Sequence, residues 1–599
     1  MKKSFVFTIY SIALSVFFIL TGAFFSGTPN MPKTYYLSSV KEYDGEIENA
    51  GFTLELDRSY TVKNENGEDE TKYYDIYNVY ACIGKAYSYN QDGKLDINIY
   101  FKTKSSGETS YEKLKKTEVS EFYRWVKIYD GETDGKVSEL SRVKITSPQM
   151  FELLEVVFTA EDGTVIKINS LVSESKETKS SAGNAFDEQN SFNPSSAYAY
   201  ILSDEEVTEM KAADDLFTGG NTLGKAPLTT ALNAISVLVF GRNPFAIRFF
   251  SMLSGYFALI IAYLIFKRLF GNDYISLFGS LFILFASSLF SSSVTASGAL
   301  AVPFILLSYY HAIGFFAERY KFSVKWDTYK NLLLTGVCVG LSVASGASNI
   351  IYLLGVPVVW GFAIVKLNKN YKKSYETAKG LDKETVYFDY HRKVNAYAWL
   401  FPSSFIIIPV AVLLLSYAVI SGSVAVDGGF IKGVIADAVK SFKISGGVTA
   451  LGVFIGYGSE EVGSGYKIMN YLPYIFGLFG FILTTLTAFL QKNEKFAFLW
   501  KGMKIKYKLI SAIAVSIYLP VLFGINLSVV GTAVVSFATS AYIMLALTEI
   551  EKFFSKTAYR WTLGVLTTVF AISFIGCYFG ILGFNMPSGL VKALYAWQL

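Results

Sequence analysis

Cysteine and histidine are scarce in this chain of 599 residues, which has three cysteines and two histidines. Cys82, Cys338 and Cys577 lie far apart and form no Cys-x-x-Cys pair. Structural zinc sites and disulfide frameworks need such side chains in clusters, so the sequence predicts neither a metal site nor a disulfide scaffold. The sequence also lacks a P-loop and a dinucleotide-binding glycine fingerprint after a strand.

Charged residues are few as well, at 17% of the chain, while aromatic residues make up 16% and the mean hydropathy is +0.36. This composition is too apolar for a soluble protein of this length and predicts a polytopic membrane protein. Carboxylates, which couple ions in many carriers, are nearly absent from the apolar segments, so a transporter is only weakly supported. The basic run from Lys366 to Lys393 is interpreted as a connector near anionic lipid, not as a nucleic-acid surface.

The charges are unevenly distributed along the chain. Between Ser26 and Lys225 lie 35 of the 49 acidic residues but only 22 of the 54 Lys and Arg residues. That segment therefore carries a net charge of −13, and the remainder carries +18. We interpret the segment as a soluble acidic domain inserted after the first hydrophobic helix of an integral membrane protein.

Apolar runs of membrane-spanning length recur from Asn243 to Leu599 and predict ten helices. Residues 1–25 add an N-terminal segment, which is either an anchor or a signal peptide. Its long apolar run and poor cleavage site favour an anchor, giving about eleven transmembrane helices. The ten further spans are predicted at residues 243–266, 273–291, 298–316, 331–347, 349–366, 398–421, 471–491, 508–525, 527–548 and 562–584.

The basic connectors predict the orientation of these spans. If the N-terminus is cytoplasmic, the connectors rich in Lys and Arg all fall on the cytoplasmic side, as the positive-inside rule requires. The acidic domain, the 422–470 loop and the C-terminal tail then face outward. The predicted location is the plasma membrane of a bacterium, with many passes, a cytoplasmic N-terminus and an extracellular acidic domain.

Residues 26–172 are rich in short alternating strands and predict an extracellular β-sandwich. The strands at 154–159 and 164–168 are joined by Glu161-Asp162-Gly163, which is typical of a hairpin. Residues 173–242 form a linker and a juxtamembrane loop. Within it, Ser203 to Glu206 is a capping box that predicts an amphipathic helix on the membrane surface, and Pro227 to Phe240 is apolar but too short to span. Residues 243–599 form the multi-span domain.

Three motifs follow one another in this juxtamembrane region. Phe186-Asp187-Glu188 comes first, then Leu223-Gly224-Lys225, and then Phe240-Gly241-Arg242-Asn243-Pro244-Phe245 with Arg248 three residues further on. This order resembles the protein O-mannosyltransferase family of GT-C membrane glycosyltransferases, particularly its bacterial members. Pro587-Ser588-Gly589 and Tyr595-Ala596-Trp597 resemble the C-terminal pattern of that family.

The resemblance implies a GT-C-like fold and the transfer of a sugar from a polyprenyl-phosphate donor to an acceptor hydroxyl at the outer membrane face. Asp187 would be the catalytic base, with Glu188 beside it, because the acceptor hydroxyl must lose a proton. Lys225 and Arg248 would bind the departing phosphate. The lipid-linked sugar is a co-substrate, and no further cofactor is implied. Expected partners are a protein or glycan acceptor, membrane lipid and a homo- or hetero-oligomeric subunit, with no nucleic acid.

Several family positions are changed in this chain. The His-Pro-Pro of the family is Gly220-Asn221-Thr222 here, an Arg and an Asp are Ser293 and Gly298, and Thr-Lys-Trp is Ser345-Gly346-Ala347. Each change removes a polar or basic group that could face a lipid-linked donor. A second hypothesis is therefore a catalytically degenerate relative that acts as a scaffold, partner subunit or binder of glycan or protein. For Asp187 the alternative is a solvated charge, and for Arg248 a cation that snorkels from a helix end.

Overall fold

The computed structural model describes most of the chain. The residues outside the description are 1–4, 26–31, 33, 39–40, 44–45, 49, 65–66, 104–111, 139, 175–181, 195–201, 203, 219–225, 287, 294–297, 318–325, 423–427, 444–470, 491–504, 524–528, 552–554 and 582–599. The chain divides into two compact units. A helical unit comprises Met1–Ser26, Ala212–Ser236 and Ile247–Leu599, and a sheet unit comprises Gly27–Lys211 and Val237–Ala246.

The sheet unit is built on an antiparallel sheet of nine strands, with the order β10-β7-β12-β13-β4-β11-β8-β9 and β1 paired to β12. The two hairpins β2-β3 and β5-β6 stand apart from it. The described residues form thirteen strands: β1 Tyr36–Leu37, β2 Lys41–Tyr43, β3 Glu46–Glu48, β4 Ala50–Asp57, β5 Ser59–Lys63, β6 Asp69–Tyr73, β7 Asn78–Ala86, β8 Leu95–Thr103, β9 Glu112–Val119, β10 Arg124–Asp130, β11 Leu140–Ser147, β12 Phe151–Thr159 and β13 Val165–Glu174.

The strands predicted at 96–101, 125–129 and 154–159 are confirmed as parts of β8, β10 and β12, and the strand predicted at 164–168 is confirmed from Val165 onward as part of β13. The hairpin between β12 and β13 is also confirmed, with Thr159 opposite Val165. Gly163 has a φ of 85°, which a residue without a side chain adopts most readily, and Asp162 Oδ1 accepts the Thr164 N–H at 2.9 Å. The closure of this sheet into a sandwich stays a prediction, as do the four domain boundaries.

Most of the described helices belong to the helical unit. Together with helices of the sheet unit, the helices are α1 Phe5–Phe25, α2 Gly131–Asp134, α3 Asp204–Thr218, α4 Pro227–Phe240, α5 Pro244–Phe270, α6 Asp273–Phe285, α7 Ser288–Ser293, α8 Val302–Ala317, α9 Trp326–Ala344, α10 Gly355–Thr377, α11 Leu381–Pro402, α12 Ile408–Ser421, α13 Gly428–Lys440, α14 Tyr471–Leu490, α15 Ile505–Leu522, α16 Val529–Ile550 and α17 Lys556–Ile581.

Among the described residues, five helical segments are long and apolar enough to cross a membrane. They are Pro244–Phe270, Ala347–Thr377, Leu381–Ser421, Val530–Thr548 and Thr557–Ile575. Shorter apolar helices lie at most of the other predicted spans, for example Val302–Phe316 and Leu472–Thr484. These segments support a multi-pass membrane protein, while the count of eleven and the orientation stay predictions.

The hydrophobic core of the helical unit surrounds α16. Its side chains Phe537, Ala541 and Tyr542 are buried, and the Phe537 ring stacks on Phe266 of α5 with the ring centroids 5.4 Å apart. The N-terminal helix α1 packs into the same core through Tyr10, Leu14 and Phe18. The helix α1 is therefore an integral part of this core.

Three features differ from the sequence prediction. The single span predicted at 273–291 consists of two helices, α6 and α7. The basic run from Lys366 to Lys393 is not a loop, because α10 and α11 extend through it and break only around Gly380. Lysine and glutamate favour helix, so a charged connector extends the helices that it joins. The predicted 422–470 loop contains the helix α13, and residues 444–470 of it lie outside the described residues.

Candidate functional site

Asp187 and Glu188 lie between two short 3-10 helices, Ala182–Ala185 and Gln189–Ser191, in the sheet unit. The Thr34 hydroxyl lies 2.8 and 2.9 Å from the two oxygens of the Asp187 carboxylate. The Thr34 backbone N–H donates to Glu188 Oε2 at 3.1 Å. One threonine therefore holds both predicted catalytic carboxylates, and the Asp187 side chain remains exposed to solvent.

A third carboxylate, Glu155, lies beneath this pair on β12. Its side chain is buried, and Oε2 accepts the Glu188 N–H at 2.8 Å. Burial is the main cause that raises the pKa of Glu155 to about 8. The neighbouring charges of Asp187 and Glu188 act in the same direction, and hydrogen bonds from backbone N–H groups act against it. At neutral pH Glu155 is therefore mainly protonated, which limits the negative charge that Asp187 and Glu188 meet.

Sequence reasoning missed Glu155, although one signal was present. Glu152 and Glu155 are three residues apart in the strand Phe151–Thr159, so regular alternation puts them on opposite faces of the sheet and at least one of them on a buried face. The pairing of β12 with β7 shifts register twice before Glu155. These irregularities decide which face each side chain occupies, and they cannot be derived from the strand's own residues.

The second glutamate of β12, Glu152, pairs with Arg242. Glu152 Oε1 accepts the Tyr87 hydroxyl at 2.7 Å, and Oε2 lies 3.6 Å from Arg242 Nη1. The Arg242 guanidinium also lies 4.6 Å from the centroid of the Tyr35 ring. Burial and the Glu152 carboxylate both raise the pKa of Tyr87 above its ordinary value. The motif containing Arg242 is therefore fixed to the sheet by an ion pair whose acidic partner is almost fully buried.

The same motif starts helix α5. Asn243 Oδ1 accepts the Ala246 N–H at 2.9 Å, so Asn243 caps the helix, and Pro244 occupies its first turn. Gly241 has a φ of 84°, which accommodates the sharp turn from α4. The rings of Phe240 and Phe245 meet edge to face at 4.9 Å. The Phe-Gly-x-Asn-Pro-Phe residues thus have a structural role as the joint between α4 and α5.

Arg248 lies one turn further along α5, in the helical unit, and its side chain is fully buried. A side chain buried by protein does not snorkel at a lipid surface, so this alternative is not supported. Ser251, on the same helix face, accepts the Ala299 N–H at 2.9 Å. Arg248 therefore occupies a polar part of the interior, and its phosphate-binding role stays a prediction.

The predicted site residues are only partly brought together. Asp187 and Glu188 share one cluster in the sheet unit, whereas Arg248 belongs to the helical unit. Lys225 lies outside the described residues, as do Gly220-Asn221-Thr222 and the C-terminal motifs at 587–597. Within the described part of the chain, no three His, Cys, Asp or Glu side chains are grouped so that they could hold a metal ion.

The buried carboxyl group of Glu155 gives a prediction about stability and pH. Because its pKa is raised in the folded chain, its protonated form stabilises the fold below the ordinary value of 4.5, and that contribution is lost as the pH rises through about 8. We expect Glu155→Gln to slow hydrogen exchange in β12 at pH values above about 8 and to leave the exchange unchanged at acidic pH. The free energy of unfolding should rise by on the order of a few kcal/mol at alkaline pH, since one pKa unit corresponds to about 1.4 kcal/mol.

Hydrogen exchange of Phe151–Thr159 in the intact chain, compared between variants at the same pH, measures this effect. Glu161→Gln is the matched control, because Glu161 is an exposed carboxylate in the adjacent turn. Faster exchange in Glu155→Gln at alkaline pH would mean that the fold stabilises the ionised form.

Comparison with known proteins supports the resemblance seen in the motifs. Residues 184–421 match the model of the dolichyl-phosphate-mannose-protein mannosyltransferase family. The matched segment begins three residues before Asp187 and ends with α12, so it includes Glu188, Lys225 and Arg248. The predicted resemblance to this family is confirmed. No curated protein matched the sequence.

Solved structures that match part of this chain include two membrane enzymes from a bacterium and an archaeon. ArnT from Cupriavidus metallidurans bound to undecaprenyl phosphate is 11% identical with a TM-score of 0.34, covering 64% of this chain and 70% of ArnT. The oligosaccharyltransferase of Archaeoglobus fulgidus in complex with Zn and sulfate is also 11% identical, with a TM-score of 0.38. That match covers 65% of this chain and 50% of the archaeal enzyme, so this chain matches only half the length of that protein.

Proposed function

We propose that this chain is a membrane glycosyltransferase of GT-C architecture that transfers a sugar from a polyprenyl phosphate to an acceptor hydroxyl. Mannose is the proposed sugar, because the matching family is described by it. The observation that carries this proposal is the family match over residues 184–421, which includes the Asp-Glu pair and both predicted phosphate-binding cations. The apolar helices of the helical unit support a membrane location, where a lipid-linked donor is found.

The proposed reaction needs a base for the acceptor and a cation for the leaving group. Asp187 takes the proton of the acceptor hydroxyl as its oxygen bonds to the anomeric carbon of the sugar. The bond between that carbon and the phosphate oxygen breaks, and polyprenyl phosphate leaves with the electron pair. Arg248 or Lys225 stabilises the phosphate charge, since guanidinium and ammonium groups bind phosphate strongly.

The surroundings of Asp187 suit a base. Its side chain is exposed, so an acceptor can approach it, and the Thr34 hydroxyl holds it in one orientation through hydrogen bonds of 2.8 and 2.9 Å. Glu155, protonated at neutral pH, adds a neutral hydrogen-bonding group below the pair instead of a third charge. We assign Glu188 a positioning role, because its carboxylate is engaged by the Thr34 N–H.

The second candidate function is a relative without catalytic activity, and one observation favours it. At two positions where the family has charged or polar groups, the small side chains are engaged with the backbone. The Ser293 hydroxyl donates to the Phe290 carbonyl at 2.7 Å, and the Ser345 hydroxyl donates to the Leu341 carbonyl at 2.9 Å. Neither hydroxyl proton is then free to bind a lipid-linked sugar. In this alternative, the sheet unit binds a glycan or protein partner.

The proposed setting is the plasma membrane, with the sheet unit and the transfer reaction at the outer face. The bias of Lys and Arg residues toward alternate connectors supports this orientation. The acceptor is a protein or glycan hydroxyl, and the donor is a co-substrate, so no bound cofactor is needed. Membrane lipid surrounds the helical unit, and an oligomeric partner is compatible with the scaffold alternative.

Donor binding tests the first part of the proposal. Polyprenyl-phosphate mannose is expected to raise the unfolding temperature of the purified protein, because a ligand at a hundred times its Kd stabilises the folded state by about 2.7 kcal/mol. Polyprenol without phosphate and soluble mannose phosphate are the controls for the lipid and the headgroup. An equal shift with polyprenol alone would mean that the chain merely binds a lipid tail.

A further inference from the structure

The helix α13, Gly428–Lys440, carries an exposed apolar stripe. Ile431, Ile435 and Val439 are spaced four residues apart and lie on one helix face, and Phe442 follows in the turn after the helix ends. Each of them is exposed, and Val439 has 65% of its surface exposed. Such a stripe on a helix of a folded protein marks a surface that something apolar covers.

The opposite face of α13 fixes its place in the helical unit. Phe430 is buried, and its ring lies 4.2 Å from the ring of Tyr417 on α12. Val434 packs into the same cluster. Tyr417 lies one turn before α12 ends at Ser421. The helix α13 is therefore attached to α12 at the end of that helix.

The end of α12 is also the end of a candidate membrane span, Leu381–Ser421. From Trp399 to Val419 every exposed side chain of this segment is apolar, and Val419, near its end, has 74% of its surface exposed. Exposed apolar residues on a spanning helix face lipid tails. Because α13 packs on Tyr417, one turn from the end of this span, it lies near the level where hydrocarbon meets the lipid headgroups.

Lysines flank the apolar stripe on one side. At 100° per residue, Lys432 and Lys440 lie between the stripe and the face that packs on α12, Lys443 follows just after the helix ends, and all three are exposed. The single carboxylate of the helix, Asp437, lies near the packing face instead. This separation of lysines from apolar residues is typical of helices that rest in a membrane interface.

We propose that α13 lies in the headgroup layer of the membrane that α12 crosses, with its stripe in the acyl boundary and its lysines on anionic lipid phosphates. Long lysine side chains reach phosphates while the neighbouring apolar residues stay below them. The charge of this helix favours lipid over a second copy of the same face, because two copies would bring the lysines together. The proposal is independent of the glycosyltransferase assignment and requires only that α12 crosses the membrane.

Quenching by brominated lipid tests the position of the stripe. A fluorophore is attached at Ile435→Cys, and at Ala436→Cys as the matched control, in full-length protein with Cys82, Cys338 and Cys577 replaced by alanine. Both positions are exposed, but they are one residue apart and so point about 100° away from each other. In nanodiscs with brominated acyl chains, we expect the Ile435 probe to be quenched several-fold more strongly than the Ala436 probe.

Equal quenching at the two positions would overturn the proposal. So would a probe at Ile435 that neither brominated lipid nor aqueous iodide can reach, because a protein partner would then cover the stripe.

The lysines are tested in the chain with its native cysteines. Anionic phosphatidylglycerol should slow hydrogen exchange of α13 relative to phosphatidylcholine nanodiscs, by up to about five-fold for each lysine that contacts the surface. The K432Q/K440Q/K443Q variant should lose this lipid dependence, and a retained dependence would contradict the assignment of the lysines.

Discussion

Asp187→Asn is expected to lower the rate of sugar transfer by about a hundred-fold to ten-thousand-fold, the range typical of a lost general base. Asparagine has the shape of aspartate and can still accept a hydrogen bond from Thr34, so the fold should not change. An amide cannot take the proton of the acceptor. The rate is measured as labelled sugar incorporated into acceptor by purified protein, at equal protein concentration.

Two control variants separate the base from its surroundings. Asp92→Asn removes an exposed carboxylate of the same unit that lies in a different turn, and we expect no change in rate. Glu188→Gln should lower the rate less than Asp187→Asn, since the Glu188 carboxylate is already engaged by the Thr34 N–H at 3.1 Å. An Asp187→Asn protein with the wild-type rate would remove Asp187 from the mechanism and favour the scaffold function.

The second large effect is expected in the ion pair of Arg242 and Glu152. Arg242→Met removes the cation next to a carboxylate whose side chain is only 2% exposed. Removing one partner of a buried pair costs about 3–5 kcal/mol, because the other charge is left uncompensated. We expect a value of about 3 kcal/mol, since Arg242 Nη1 and Glu152 Oε2 are 3.6 Å apart and Arg242 is partly exposed.

The double variant Glu152→Gln with Arg242→Met tests whether the charge is the cause. The amide has no charge to compensate, so the double variant should regain most of the lost stability. Arg124→Met is the matched control. Arg124 pairs with the half-exposed Glu121 at the surface, where such pairs contribute about 0–1 kcal/mol. Hydrogen exchange across β12 measures the stability of all three variants. A double variant as unstable as Arg242→Met would mean that the loss of stability comes from the packing of Arg242 on Tyr35.

Local signals in the sequence predicted local structure well. The turn Glu161-Asp162-Gly163 gave the hairpin of β12 and β13 because its residues supply the turn's own hydrogen bonds and its positive φ. The family motif predicted the start of α5, and the cap by Asn243 explains why. In both cases the residues that determine the structure are neighbours in the chain.

The carboxylate cluster could be predicted only in part. Asp187 and Glu188 were expected from their place before the other motifs, but Thr34 and Glu155 reach them from 153 and 33 residues away. Arg242 and Glu152 also form their ion pair from distant positions in the sequence. Such contacts depend on strand order and register shifts in β12, which the pattern of a single strand does not encode.

The missed helices have a different cause. In α10 and α11, charged residues were interpreted as a connector, although lysine and glutamate are good helix formers and the helices continue through them. In α13, the glycines at Gly428, Gly429 and Gly433 weaken the helical propensity. Its packing through Phe430 on Tyr417 stabilises it instead, and this tertiary contact is invisible in the local sequence.

The most direct test of the proposed function is sugar transfer by the purified wild-type protein, using a panel of polyprenyl-phosphate sugars and hydroxyl-bearing acceptor peptides. We predict that one donor class yields glycosylated acceptor and an equal amount of free polyprenyl phosphate, and that the yield depends on Asp187. Binding of the donor without any transfer to any acceptor of the panel, in protein shown to be folded, would contradict the enzymatic assignment.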